Sequence, residues 1–423
     1  MLNKNSEREL AYVVTVDSIE PIPGKDRVEC ARVGGWTCMV PKGVFKAGDP
    51  GIYFEIDSLV PVDKDPFKFC EKYKGHIKTQ KFKNPDGSQF WSQGLLMPAS
   101  EFGWTVEFRL INGGVYCIQD DKGTEHFAND ESAFLTKQLG ITYYEPEDQK
   151  RKATVNPNTK INATLNRHPK IAKKWGKFIK KNKIAKNIFL FFFGRKKDDI
   201  ATKFPTHFQY IKKTDQERCE NMTWILDDKT PYIVTQKCDG SSGTYILERK
   251  PFGKFEFYVC SRNVRQLTPT QKSYYDENYY WECAIKYDIE NKLKDYLIKH
   301  PDLSYVCWQG EICAPNIQKN PQGLTETHLF CFHMIDSKIG KYDIRESVKI
   351  WKEYNMETVP IIDENYILPD NFEEFKMTAD GYYDSSVCEN KNTQKREGFV
   401  YYKTTDPNFS FKNVSREYLT KHT

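Results

Sequence analysis

Thr235-Gln236-Lys237-Cys238-Asp239-Gly240-Ser241-Ser242 is the stretch on which the reading of this chain turns. A β-branched run enters it from Tyr232, and another run of strand character leaves it from Gly243 to Glu248. Lys237 is therefore expected at a strand end, just before a tight turn. Gly240 has no Cβ and permits close approach of backbone to a ligand. A lysine is a weak nucleophile at its ordinary pKa. It becomes effective when desolvated, crowded by other cations or placed beside a metal. The pattern Lys-x-Asp-Gly has three fixed positions, so alone it describes an exposed lysine on a β-turn equally well.

An ordered series follows. Ser261-Arg262-Asn263 comes first, then Trp308-Gln309-Gly310-Glu311 running on to Pro315-Asn316-Ile317-Gln318. Phe330-Cys331-Phe332 is next, then Glu397-Gly398-Phe399-Val400-Tyr401-Tyr402, and last Phe409-Ser410-Phe411-Lys412. Each is weak alone, whereas the ordered set is hard to obtain by coincidence. Taken singly, Glu311 and Glu397 also read as surface charges at strand ends. Phe330 and Phe332 read as core, Arg262 as a structural cation and Lys412 as an exposed lysine.

The chain has 423 residues, enough for two or three domains. Charged residues make up 29% and aromatics 14%, a balance able to bury a sizeable core. Lys150 to Lys197 contains sixteen Lys/Arg and no Asp/Glu, and leaving it out takes the formal net charge from +5 to −11. That local basicity points to a polyanionic partner or to a solvated linker. The twelve cysteines include no C-x-x-C, so no zinc knuckle is indicated and reduced, buried thiols are expected. The polar start, Met1 to Glu9, shows no secretory signal, and the longest apolar run, Ile188 to Phe193, is too short to span a bilayer. A cytoplasmic location (or a nuclear one) and no membrane partner are expected.

From Ala11 to Glu147 short strands alternate with Gly/Pro turns, which predicts an all-β barrel or sandwich. Lysines and aromatics interleave from Ile77 to Lys83, suiting contacts with a single strand or simply solvent-facing positions. Ile171 to Phe193 reads as a basic amphipathic helix. Three roles stay open for it: a nucleic-acid contact, a membrane-surface segment or packing on a neighbouring domain. Pro205 to Thr423 is mixed α and β, with one helix over Tyr280–Lys299 and another over Arg345–Tyr354.

The series from Lys237 to Lys412 resembles the collinear motifs of the covalent nucleotidyltransferases, which comprise DNA ligases, RNA ligases and mRNA capping enzymes. Within them the chain is most similar to RNA ligases of the Deinococcus–Naegleria type, which place an OB domain first. Val14-Thr15-Val16, Pro21-Ile22-Pro23-Gly24-Lys25-Asp26, Gly35-Trp36 and Tyr53-Phe54-Glu55-Ile56-Asp57 resemble that OB module. Lys213-Thr214-Asp215-Gln216-Glu217-Arg218 also fits. The resemblance implies a multidomain fold. An N-terminal all-β OB-like barrel (1–149) and a basic, partly helical insert (150–204) precede an α+β nucleotidyltransferase, or ATP-grasp-like ligase, domain with antiparallel sheets (205–423).

The implied reaction has three steps. Lys237 attacks the ATP α-phosphate, AMP then moves to a 5′-phosphate, and a 3′-OH finally displaces AMP. The resemblance assigns Mg²⁺ (or Mn²⁺) to Glu311, Glu397 and Asp239, mainly through water. It gives phosphate neutralisation to Lys412, ribose or phosphate contact to Arg262, and help at the reactive phosphate to Asn263. Gly240 flanks the nucleotide, Phe332 stacks on adenine, and Gln236 reads the adenine amino group. Three positions depart from the family pattern: Gln236 where Glu is common, Ser410 where a lysine is common (Lys403 being a candidate substitute), and His333 after Phe332. The expected partner is RNA, as a nicked duplex or an RNA/DNA hybrid, bound by a monomer. Two alternatives compete. A capping guanylyltransferase or DNA ligase would need an OB domain after Lys412, where only 11 residues follow. A non-catalytic RNA-binding OB protein would not need the lysine–carboxylate series.

Overall fold

The strand Ala11–Thr15 is apolar at four successive positions, so it has to be covered on both faces. The computed structural model describes residues 8–109, 115–127, 131–144, 169–182, 202–269, 277–389 and 394–422, with 185 and 189. In it the strand's side chains divide between two cores. Ala11 and Val13 join Ile52, Phe54 and Phe67, whereas Tyr12 joins Tyr53, Trp36 and Val40. The pairing partner Pro50–Phe54 divides in the same alternation. Small antiparallel sheets surround these cores: Ala11–Thr15 with Pro50–Phe54 and Leu95–Met97, Ser18–Pro21 with Val28–Val33 and Trp36–Pro41, and Gln80–Lys83 with Gln89–Ser92.

The N-terminal region is not all-β. The helix Glu131–Leu139 seats Leu135 and Leu139 in the first core, beside the sheet formed by Thr105–Arg109, Val115–Gln119 and Glu125–Phe127. Most of the basic insert, including Phe191, Phe192 and Phe193, lies outside the described residues. Within it a helix spans Pro169–Lys181.

The C-terminal region holds two further sheets. Seven strands are ordered Thr202–Lys203, Val264–Gln266, Lys254–Cys260, Ser241–Lys250, Tyr305–Cys313, His328–Asp336 and Gly340–Lys341, all antiparallel. Five are ordered Glu217–Arg218, Asp406–Val414, Gly398–Lys403, Tyr232–Lys237 and Ile361–Tyr366, with only Glu217–Arg218 running parallel to its neighbour. The helix expected over Tyr280–Lys299 is two helices, Tyr279–Lys286 and Ile289–Lys299. Asp288 between them has φ +48°, a left-handed conformation that no helix continues through. Among the described residues no helix is long and apolar enough to cross a membrane. All twelve cysteines are buried and free.

The two regions meet through polar groups that neither could bury alone. Asn221 donates to Glu55 (3.0 Å) and accepts from the Trp36 indole (2.7 Å) and the Tyr12 hydroxyl (3.1 Å). The Gly35 amide donates to the Glu220 carbonyl (2.8 Å). A Cβ on Gly35 would lie 2.6 Å from the Glu220 Cα and 2.3 Å from the Phe372 ring, so only glycine permits this contact. Beneath it the Lys376 ammonium, fully buried, donates to Glu220 (2.7 Å) and to the Val414 carbonyl (3.0 Å). Removing one partner of such a pair strands the other charge in a low dielectric. Lys376→Ala should therefore cost about 3–5 kcal/mol of stability. A denaturant titration showing a loss below about 1 kcal/mol, the level of an exposed pair, would refute this.

Candidate active site

The strand Tyr232–Lys237 is buried from Tyr232 to Gln236 and surfaces at Lys237. Its flanking strands are Ile361–Tyr366 and Gly398–Lys403, and the register sets Lys237 opposite Gly398. Glu397, one residue earlier, is thereby delivered to the lysine. The Lys237 ammonium lies 2.9 Å from each oxygen of that carboxylate. Gly398 makes this possible. It has φ +147°, and a Cβ there would lie 2.1 Å from the Asn413 carbonyl oxygen.

The turn after Lys237 brings two more carboxylates. The Gly240 amide donates to Glu311 (3.1 Å), on the neighbouring strand Tyr305–Cys313. A Cβ on Gly240 would sit 2.3 Å from the Ile312 carbonyl oxygen, so the close approach expected of this glycine is to protein backbone. Asp239 accepts a hydrogen bond from the Tyr418 hydroxyl (2.6 Å). Tyr418 belongs to the helix Arg416–His422, beyond every sequence motif.

One ammonium faces three carboxylates, and the titration of the group follows from that imbalance. Burial opposes charge on Lys237, but Glu397, Glu311 and Asp239 outweigh it and hold its pKa above the ordinary lysine value. Burial, against the pull of Lys237 and with the charges of Glu397 and Asp239, pushes Glu311 up to about 8. Burial and Glu397 together carry Asp239 up to about 7. The site thus holds more negative charge than its lysine neutralises. Hard oxygen donors with that excess fit Mg²⁺ or Mn²⁺. Among the described residues no group of three acidic, His or Cys side chains is arranged to hold a metal ion.

A cationic group adjoins. Asp215 pairs with Lys412 (2.9 Å) and Arg262 (2.7 Å), with Arg8 at 3.7 Å. Burial lowers Lys412 to about 8, with Asp215 opposing and Arg8, Arg218 and Lys237 adding to the fall. Arg218 is buried, and among the described residues its Nε and Nη1 find no acceptor, while Nη2 reaches Asp57 (3.4 Å). Arg8, Arg218, Asp215 and Tyr418 were given no role from sequence. Asp215 and Arg218 lie in a run already seen to fit the family, so a signal existed for them. Tyr418 has none.

Lys237, Asp239, Gly240, Glu311 and Glu397 therefore converge, with Lys412 and Arg262 alongside. Phe332 is half-buried at a β-bulge, where its strand slips register between Gln309 and Gly310, and it packs against the cluster containing Cys238. Its neighbour Phe330 is plain core. Asn263 is exposed, and its carbonyl receives the Phe204 amide (3.0 Å). Gln236 departs from expectation. It is buried and donates to the Gly398 carbonyl (2.9 Å), while its own carbonyl receives the Asp384 amide (3.3 Å). Strand alternation turns it away from the Lys237 face, so its amide braces backbone instead of presenting itself to a base. Lys403 does not stand in at Ser410, since it pairs with Asp228. His333 is buried, bonded to Gln309 (3.1 Å), and held well below its usual pKa by burial and Lys341.

Glu397 is the nearest anion to the lysine, so Glu397→Gln should lower the pKa of Lys237. The pH dependence of its reaction with an amine-selective reagent, quantified by peptide mass spectrometry, should move to lower pH. An unmoved profile would remove Glu397 as the group that sets the charge of Lys237.

Residues 10–99 match the family model of an OB-fold domain and residues 230–415 that of RNA ligase. No curated protein matches the chain. Among solved structures the chain is similar to Naegleria gruberi RNA ligase with pyrophosphate, at 26% identity and TM-score 0.66, covering 98% of this chain and 99% of that one. A mutant of the same ligase with AMP and Mn gives 27%, 0.67, 98% and 99%, and another with ATP and Mn gives 27%, 0.65, 98% and 98%. With the OB-type strands, the lysine–carboxylate turn and both family matches in one chain order, this chain belongs to the RNA ligases that join an N-terminal OB-fold domain to a nucleotidyltransferase domain.

Proposed function

We propose that this chain is an ATP-dependent RNA ligase that seals 3′-OH/5′-phosphate ends at nicks, in duplex RNA or an RNA/DNA hybrid, acting as a monomer. The observation that carries the reading is Lys237, 2.9 Å from both oxygens of Glu397 and next to a turn closed by Gly240. A lysine so placed serves covalent transfer, and nucleic-acid binding alone has no use for it.

The ammonium first gives up a proton, for which Glu397 is the nearest acceptor. The freed Nζ attacks the α-phosphorus of ATP, an N–P bond forms, the bond to the bridging oxygen breaks, and pyrophosphate leaves. A 5′-phosphate oxygen then takes AMP from Lys237, and a 3′-OH displaces AMP to close the phosphodiester. Lys412 neutralises the α-phosphate and Arg262 holds ribose or phosphate, both released from Asp215 as the nucleotide arrives. Arg218, held by Asp57 through Nη2 with Nε and Nη1 left over, is a third cation for the phosphates. Phe332 offers the adenine a half-buried ring. A divalent cation at Asp239, Glu311 and Glu397 would offset their charge and favour the neutral amine. The Naegleria gruberi structures with ATP and Mn hold the same pairing of nucleotide and metal.

Incubation with α-labelled ATP and a divalent cation, followed by denaturation, should leave label on the protein. Lys237→Ala should retain none, and α-labelled GTP should give none. Label retained by Lys237→Ala would sink the nucleophile, and label from GTP alone would indicate capping chemistry.

Lys412 supplies an independent check. Its pKa, down at about 8, should rise when a phosphate arrives beside it, because the anion favours the charged form. Between about 8 and 10.5 nucleotide binding should then take up protons at Lys412. Calorimetry without divalent cations, in two buffers of different ionisation enthalpy, should show this uptake reduced in Lys412→Gln. Equal uptake in both proteins would take Lys412 out of the phosphate site.

A further inference from the structure

The helix Pro169–Lys181, PKIAKKWGKFIKK, lies outside both family matches and takes no part in the proposed chemistry. Its sequence left three roles open, and packing accounts for only part of its surface: Ile179 and Gly176 are buried, whereas Trp175 and Phe178 are 52% and 55% exposed. They lie three residues apart, on adjoining positions of one face, with rings edge to face at 6.3 Å. Lys173, Lys174, Lys177, Lys180 and Lys181 are all exposed, and Lys174 sits 5.8 Å over the Trp175 ring. At helical spacing these lysines fill one continuous arc that begins beside Phe178.

Two partners carry the charge that complements this arc: a nucleic acid and an anionic membrane. A membrane-surface helix inserts a broad apolar face. Here that face is partly covered. Ile179 is 6% exposed and Gly176 is buried, which leaves the two aromatics as the exposed apolar surface of the helix's described side chains. Two exposed aromatic rings beside a lysine arc suit a strand of alternating bases and phosphates better. We infer that the helix Pro169–Lys181 is an RNA-docking element, its lysines following backbone phosphates while Trp175 and Phe178 stack on unpaired bases. The inference rests on the ligase reading for the identity of the polyanion. It adds a binding surface separate from the nucleotide site.

Two full-length variants test it. In the first, Lys173, Lys174, Lys177 and Lys181 become Gln. In the second, Trp175→Leu and Phe178→Leu keep the helix apolar but remove the flat rings. Binding of single-stranded RNA is measured across a salt series, with phosphatidylserine vesicles as the rival ligand and lysyl-AMP formation in parallel. The lysine variant should flatten the plot of log K against log salt by about 0.7 for each phosphate that is no longer neutralised. The leucine variant should bind about 5- to 150-fold more weakly for each stacked base, with its slope unchanged. Both should form lysyl-AMP as the parent does. Unchanged RNA affinity in both variants overturns the inference. So does vesicle binding that leucine preserves and glutamine abolishes while RNA binding stays constant. Failure of the parent to form lysyl-AMP would count against the ligase reading alone, because the RNA measurements remain interpretable.

Discussion

A single ammonium, Lys237, stands among three carboxylates withdrawn from water, and much of the catalytic region follows from bringing them together. Glu397 arrives only because Gly398 lets two strands close to a distance that no side chain tolerates. Glu311 arrives because Gly240 lets the turn press on the strand beyond it. Neither sheet alone builds the site, since Lys237 ends a strand of the five-stranded sheet, Glu397 immediately precedes another, and Glu311 lies in the seven-stranded one. Burial, joined by the neighbouring negative charges, raises Asp239 and Glu311, and the carboxylates together keep the lysine charged.

The OB-fold domain is joined to this centre more intimately than a tethered module would be. The helix Arg416–His422 does three things within two turns. Arg416 binds Gln93 and Glu373, Leu419 enters the OB core beside Trp36 and Tyr53, and Tyr418 reaches back to Asp239. Lys81, on an OB strand that could have faced nucleic acid, is engaged by Glu417 of the same helix. With Asn221 between Glu55 and Trp36, and the buried pair of Lys376 with Glu220, the interface joins the apolar contact of Leu419 to a network of buried polar groups. Such networks favour one arrangement of two domains over many, since a shifted arrangement strands buried charge.

Local sequence misled where tertiary contacts reassigned a group. Gln236 reads as a ligand contact because it adjoins Lys237. Adjacent residues on a strand face opposite ways, and its amide is taken by Gly398 and Asp384. The single helix read over Tyr280–Lys299 overlooked the left-handed turn at Asp288, which leaves no mark in the apolar pattern on either side. The all-β reading of the first region overlooked Glu131–Leu139, a helix that exists because Leu135 and Leu139 complete a core built by distant strands.

What the sequence by itself determined is the candidate site as an ordered set of residues. A lysine at a strand end, a glycine turn, two carboxylates before apolar strands and a terminal lysine are local features, each legible from spacing and residue chemistry. The basic arc of the insert helix is local too, because helical period alone places it. Only the tertiary structure decided which of these groups touch. The pairing of Lys237 with Glu397, the sharing of Asp215 by Lys412 and Arg262, and the reach of Tyr418 to Asp239 span 160, 197, 47 and 179 residues. No local pattern encodes contacts at such separations. They arise from strand register and from the few glycines at which two backbones can meet.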